Sequence, residues 1–376
     1  MRKLASIQEI KSLEPIPGAD RILKAEILGW SIVVSKDEFK VGNKCLFLET
    51  DSLCDPVLHP WAAPLKNNNY RVKTIKLRGV LSQGFAVPLK EVMKTITETL
   101  TLEIGEDLTK ILKIRKYEPY NNSGGSNKFK VGNQDKPFPT HLLPKTDEVR
   151  IQSNPSLLEK LKGNKYYITT KLDGTSATFL IDPNTDEFLV CSRNFCRKQS
   201  ALYGWNRLKT KIKSYFSWGK RKNKLLKKLE EKENVYWYIA KKYNIEKILR
   251  KNKHIAIQGE IIGPQIQGNP LNATDYHLFV FNLIDLNHRA YISNIFKFDT
   301  ICNQFKLKTV PIEETGWNFN CSKDELLEKA QGYYLGTENF KEGIVVRESG
   351  DLFDPTSYNE MISFKVLNND FLLKEK

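Results

Sequence analysis

The chain contains Lys171-Leu172-Asp173-Gly174 between two stretches of strand character. A lysine amine is a nucleophile only when neutral, so a lysine used this way needs a nearby cation or a desolvated pocket to lower its pKa. Four residues of this kind also recur by chance. Alone they describe an ordinary strand-to-turn junction, with Gly174 relaxing the backbone and Lys171 exposed. The blocks that follow give the motif its weight. In order they are Thr175-Ser176, Ser192-Arg193-Asn194, Gln258-Gly259-Glu260-Ile261-Ile262-Gly263-Pro264, Phe279-Val280-Phe281-Asn282, Glu342-Gly343-Ile344-Val345-Val346-Arg347 and Ser363-Phe364-Lys365-Val366-Leu367.

In that order the blocks resemble motifs I, Ia, III, IIIa, IV and V of the covalent nucleotidyltransferases, the polynucleotide ligases and mRNA capping enzymes. The resemblance implies that Lys171 attacks the α-phosphate of ATP and becomes adenylylated. Lys365 would contact that phosphate and stabilise its developing charge, since phosphoryl transfer depends mainly on positioning and electrostatics. Glu260 would accept hydrogen bonds from the ribose hydroxyls. Phe281 would stack on the purine, with simple core packing as its other reading. Asp173 and Glu342 would hold Mg²⁺ or Mn²⁺, mostly through its water shell. Arg193 would grip a phosphate or sugar, unless it is a plain surface arginine, and Thr170 joins the nucleotide-binding set. Upstream, Phe138-Pro139 and the run Pro144 to Gln152 resemble the opening of the nucleotidyltransferase domain in the ligase-2-like branch of RNA ligases. Within it Arg150 either reaches the nucleotide or forms a salt bridge that braces the domain entrance.

These residues need a frame, and the chain divides into two. Up to about residue 112 it reads as short strands: Ile22 to Leu28, Trp30 to Val34, Lys44 to Glu49, and two pieces within Arg71 to Leu89 broken at Gly79 and Gly84. Such spacing predicts a small barrel of OB type. Residues 113–137 include Asn121-Asn122-Ser123-Gly124-Gly125-Ser126 with no hydrophobic period, which reads as a linker. From residue 138 helices and strands alternate. Helices are expected over Ser156 to Lys162, Leu225 to Leu249 and Asp324 to Ala330. Strands are expected over Tyr166 to Thr170, Ala177 to Ile181, Ile255 to Ile262, Leu278 to Ile284, Gly343 to Arg347 and Met361 to Leu367. The fold class is therefore α+β, and the resemblance implies an ATP-grasp-like nucleotidyltransferase domain of DNA/RNA ligase type over 138–376.

A net charge of +15 favours a polyanionic partner. Eleven Lys/Arg against two Asp/Glu fall between Asn206 and Lys232, with Tyr215, Phe216 and Trp218 interleaved. That stretch is either a solvated helical face or a surface where aromatics stack on bases while lysines hold phosphates. Six cysteines at irregular spacing give no zinc pattern and read as free thiols. The start shows no secretory h-region and no apolar run is long enough to span a bilayer, so an intracellular, cytoplasmic protein without a membrane partner is expected.

Within the superfamily, Ser176 stands where DNA ligases usually carry arginine. Only eleven residues follow Lys365, which leaves no room for the OB domain that DNA ligases and capping enzymes place there. Gly29-Trp30, Phe39-Lys40-Val41-Gly42 and Leu77 to Gly84 resemble the N-terminal OB domain of one subgroup of RNA ligases. One departure is Leu367, where relatives often have a second lysine; either Lys365 acts alone, or Lys374 or another basic residue substitutes. The expectation is a monomeric ATP-dependent RNA ligase acting on 3′-hydroxyl and 5′-phosphate RNA ends in a nicked duplex. An ATP-dependent DNA ligase and a non-catalytic OB-fold RNA-binding protein are the alternatives.

Overall fold

The computed structural model describes residues 3–95, 102–117, 136–199, 234–352, 356–358 and 360–374, with five further positions between 212 and 219. In the N-terminal unit, Ala5–Glu9 pairs antiparallel with Lys44–Glu49, which pairs with Gly84–Pro88. Ser12–Ile16, Ala19–Ile27 and Trp30–Ser35 form a second antiparallel sheet. Lys44–Glu49 is buried on both faces, because successive side chains of a strand point opposite ways. Cys45 and Phe47 enter a cluster with Ile27, Trp30 and Ile32. Leu46 and Leu48 enter another with Ile7, Val87 and Leu108. Among the described residues the strands pack as separate sheets and do not close into one hydrogen-bonded ring. Ala5–Glu9 and Ser12–Ile16 escape the sequence pattern, since Ser12–Ile16 is largely solvated and ends at a proline-containing bulge.

Residues 118–135, the middle of the expected linker, lie outside the described residues. On either side of them the chain is paired: Arg115–Lys116 with Ser52–Leu53, and Lys136–Pro137 with Phe195–Cys196.

The C-terminal unit holds two sheets. The smaller runs Val149–Arg150, Ser363–Leu367, Gly343–Glu348, Tyr166–Lys171, Ile312–Gly316, with the first pair parallel and the others antiparallel. The larger is centred on Phe188–Ser192, Thr175–Ile181, Ile255–Ile262 and His277–Asp285. Helices Val235–Lys242, Ile245–Lys251 and Ile295–Gln304 pack on the larger sheet through Ile239, Leu249 and Phe298. Instead of the one helix expected over Leu225 to Leu249, two short helices meet at Asn244, whose left-handed φ of 51° breaks the ladder. Residues 225–233 lie outside the described residues, as does most of the basic stretch 206–232, Trp218 included. Tyr215 and Phe216 are described and exposed. Among the described residues, no helix is long and apolar enough to cross a membrane.

The two units meet along a polar seam. Arg150, only 9% exposed, donates to Thr50 Oγ1 at 2.6 Å and to Asp51 Oδ2 at 3.4 Å. Asp51 also binds Arg71 at 2.6 Å. The Gly29 amide donates to the Gln152 carbonyl at 3.1 Å, so the turn before Trp30 abuts the second unit. Lys323 reaches Glu26 at 3.0 Å, and Gln83 reaches Asn369 at 3.1 Å. Arg150→Ala leaves Thr50 and Asp51 short of a buried donor and is expected to cost about 1–3 kcal/mol of stability. Lys323→Ala breaks a partly exposed pair, and the expected cost is below about 1 kcal/mol. Denaturant titration of both variants checks that ranking; equal losses would refute it.

Candidate active site

The Lys171-Leu172-Asp173-Gly174 turn is the crossover between the two sheets. It leaves the smaller one at Lys171 and enters the larger at Thr175. Glu342 stands immediately before Gly343, the register partner of Lys171, and Glu260 lies on the strand paired with Thr175–Ile181. The crossover thus brings three carboxylates around one amine. Lys171 Nζ donates to Glu342 Oε2 at 2.6 Å, both side chains being largely buried. Burial by itself would lower the lysine's pKa, but the fields of Glu342, Glu260 and Asp173 outweigh it and hold the ammonium above its ordinary value. Glu260 goes the other way for a carboxyl. Burial raises it, Glu342 and Asp173 add to the rise against the pull of Lys171, and it reaches about 8.

Two glycines make the close approach possible. A Cβ on Gly174 would lie 2.5 Å from the Ile261 carbonyl oxygen. Gly343 has a φ of 146°, and a Cβ there would overlap the Val366 carbonyl. The sequence offered no sign of the group that ties the parts together. The buried Tyr334 hydroxyl accepts the amides of Asp173 at 3.0 Å and Glu342 at 3.1 Å, and donates to the Lys171 carbonyl at 3.1 Å. One phenol therefore fixes the backbone under the amine and under two of the carboxylates, using its donor and both acceptor sites.

The remaining residues fall around this centre. Lys365 lies on the same sheet face as Lys171, two residues along the strand from Leu367, which is level with Lys171 across Gly343. Phe281 is the extra residue of a bulge: Gln258 pairs with Asn282 and Gly259 with Val280, leaving Phe281 between them. It packs half-buried on the cluster of Leu172, Ile262, Val310 and Tyr334, with the Arg347 guanidinium 5.9 Å from its ring. The Thr170 hydroxyl donates to Glu313, which also holds the buried Lys341 at 2.7 Å.

The upstream block laces the site together. Its residues alternate between exposed and inward positions and bond to a different part in turn. Lys145 reaches Asn194 at 2.9 Å, Thr146 reaches Ser176 at 2.6 Å and Asp147 pairs with Arg193. Glu148 takes Arg347 at 2.8 Å and the Ser363 hydroxyl at 2.6 Å. Arg150 is directed to Thr50 and Asp51 on the N-terminal unit. Cys191 and Cys196 face each other on paired strands, and the six thiols are free. Among the described residues no three His, Cys, Asp or Glu side chains converge closely enough to hold a metal by themselves.

Two outcomes follow from this geometry. Tyr334→Phe keeps the ring but removes the partner of three backbone groups. With Lys171 as the nucleophile that the resemblance implies, its labelling by ATP is expected to slow by about 10–100-fold, as a reacting group shifted by a fraction of an ångström would require. An undiminished single-turnover rate would refute this. The second concerns pH. A carboxyl whose folded pKa is raised from 4.5 to about 8 stabilises the protein fully below 4.5 and loses that contribution as pH rises through 8. Melting temperature is expected to fall between pH 5 and 9 more steeply for the wild type than for Glu260→Gln. Parallel curves would show that Glu260 is not the titrating group.

An OB-fold domain family matches residues 4–89, and the RNA ligase family matches residues 164–366. A comparison with curated protein sequences gives no match. Among solved structures, Naegleria gruberi RNA ligase with PPi is similar at 27% identity and a TM-score of 0.78, covering 100% of this chain and 99% of that one. A Lys→Ala variant of that ligase with ATP and Mn has 27% identity and a TM-score of 0.76, covering 99% of each chain. Its Glu→Ala variant with AMP and Mn gives 28% and 0.77, covering 100% and 99%. With more than half its length matched and its whole length shared with such a ligase, the chain belongs to the RNA ligase family.

Proposed function

We propose that this ATP-dependent RNA ligase joins 3′-hydroxyl and 5′-phosphate ends of RNA through Lys171, acting on a nicked duplex or paired break in RNA repair. The observation that supports this most is the Lys171–Glu342 pair at the crossover of the two sheets, faced by Glu260 and Asp173. The Lys171 amine, once neutral, attacks the α-phosphorus of ATP. A nitrogen–phosphorus bond forms as the bond to the pyrophosphate oxygen breaks. The AMP passes from Lys171 to an RNA 5′-phosphate, and a 3′-hydroxyl then attacks that phosphate and displaces AMP.

The residues have distinct duties in this scheme. Glu342 is the acceptor nearest the Lys171 proton. Lys365, on the same sheet face, stabilises charge growing on the α-phosphate. Glu260 accepts from the ribose hydroxyls, Phe281 offers its ring to adenine, and Arg193, Thr170 and Arg150 line or brace the nucleotide's surroundings. The donor set suits a hard divalent ion: carboxylates gathered around one amine, one of them raised to about 8 chiefly by burial, gain from added positive charge. Asp173 and Glu342 would hold Mg²⁺ or Mn²⁺, completed by water and phosphate oxygens, and the ion would favour the neutral amine by offsetting the triphosphate charge. Residues 1–112 together with the basic stretch 206–232 would hold the RNA, 113–137 would connect, and 138–376 would do the chemistry. The working unit would be a monomer in the cytoplasm.

Incubation with α-labelled ATP and Mg²⁺ is expected to give a covalent, acid-labile label on the wild type. None is expected on Lys171→Ala. A label undiminished in that variant would overturn the assignment of the nucleophile. Sealing assays on all-RNA, mixed and all-DNA nicks separate RNA ligation from the DNA-ligase alternative, with loss expected on all-DNA nicks.

A further inference from the structure

The hairpin that supplies Tyr334 has a second, outward face. Tyr333 and Phe340 bridge antiparallel across it, their rings stacked with centroids 4.7 Å apart and planes 21° from parallel. Tyr333 is 56% exposed, and Leu335 at the tip is fully exposed. Lys374, from the last helix, Asn369–Lys374, places its ammonium 4.1 Å from the centre of the Phe340 ring. The Tyr333 ring, held largely in water against the half-buried Phe340, contributes little to a core, so its placement calls for another use.

This hairpin is firmly held. The Tyr334 amide donates to the Asn339 carbonyl at 2.9 Å, and the Asn339 side chain donates to the Pro270 carbonyl at 2.9 Å. Beneath it the fully buried Asn368 donates to the carbonyls of Gly332 at 3.1 Å and Lys341 at 3.0 Å. Tyr334 anchors one strand to Lys171, and the other strand runs from Phe340 through Lys341 directly into Glu342. The rings are therefore pre-positioned, one and two residues from groups that touch the reacting lysine and its carboxylate.

We propose that Tyr333, Phe340 and Lys374 form a stacking site for the RNA nucleobase next to the break. The exposed Tyr333 ring takes the base, and Lys374 faces its phosphate. The chemistry fits a polynucleotide better than a nucleotide. Every base has a π-face, so stacking tolerates any sequence, and a lysine beside the ring attracts the backbone charge. The net charge of +15 points to the same class of partner. This proposal rests on the ligase reading above and adds the surface that receives the strand.

The test uses full-length protein and an RNA nick, with single abasic nucleotides placed on either side of the break. Tyr333→Ala is expected to keep its melting temperature and its label from ATP. Its sealing rate at low RNA concentration should fall about tenfold or more, the loss of one base–aromatic stack. Tyr333→Trp should restore sealing. On the nick whose contacted base is missing, wild type and Tyr333→Ala should seal alike, because the interaction is already gone. Lys374→Ala should reduce the salt dependence of nick binding by about one counterion. Sealing by Tyr333→Ala equal to wild type would overturn the proposal, as would an equal loss on the intact and both abasic nicks. Absence of the label on the wild type would instead overturn the ligase reading, so the two failures are distinguishable.

Discussion

The contact between Lys171 and Glu342 sets the conditions that the rest of the structure meets. An ammonium 2.6 Å from one carboxylate and facing two others is held charged. On the proposed reading, the arrangement would store the nucleophile in its unreactive form. Burial raises the Glu260 carboxyl to about 8, with the fields of Glu342 and Asp173 adding to the rise against the pull of Lys171. Such crowding persists only if the backbone cannot relax outward. The Tyr334 hydroxyl prevents that relaxation at Lys171, Asp173 and Glu342 together, and the glycines at 174 and 343 let the strands come close enough to be held. On the proposed reading, reactivity would then depend on the positive charge of the ion that accompanies the nucleotide.

Order extends outward from this centre through one extended segment. Residues 145–150 touch the Ser176 hydroxyl, both residues after Ser192, the Arg347–Ser363 corner and finally the N-terminal unit. Each contact is modest alone. In series they couple the strand after the crossover to the seam between the units, because the partners are spread over several strands and the Arg193–Asn194 turn. Arg150 ends the series with its backbone paired to Lys365 and its side chain on Thr50. A displacement of the N-terminal unit would thus be felt at the strand that supplies Lys365.

How much of this is legible in the sequence depends on what a residue bonds to. Lys171, Asp173, Glu260 and Glu342 stand out because their chemistry needs those residue types, and the crossover brings them together. Strands such as Tyr166–Lys171 and Ile255–Ile262 follow from apolar runs that only a buried sheet can use. Tyr334 is invisible by the same standard: it bonds three backbone groups, and backbone leaves no pattern. Asn244 is a near miss. It splits an apparently continuous helix because asparagine tolerates the left-handed region, a signal weaker than the surrounding helical period. Arg150 shows the limit of motif reading. The residue type admitted both a phosphate contact and a brace, and only the fold places Thr50 and Asp51 against it.

Leu367 bears on the same electrostatics. It lies level with Lys171 across Gly343, on a row where a side-chain charge would act directly on the amine. A lysine there would push protons off Lys171 by like-charge repulsion. The leucine is buried at 5% exposure and supplies no charge, and the neighbouring Lys341 is already neutralised by Glu313. On the proposed reading, deprotonation of Lys171 must then come from the metal ion and from Lys365. On the same reading, Lys171 would stay paired with Glu342 until ATP and its ion are bound.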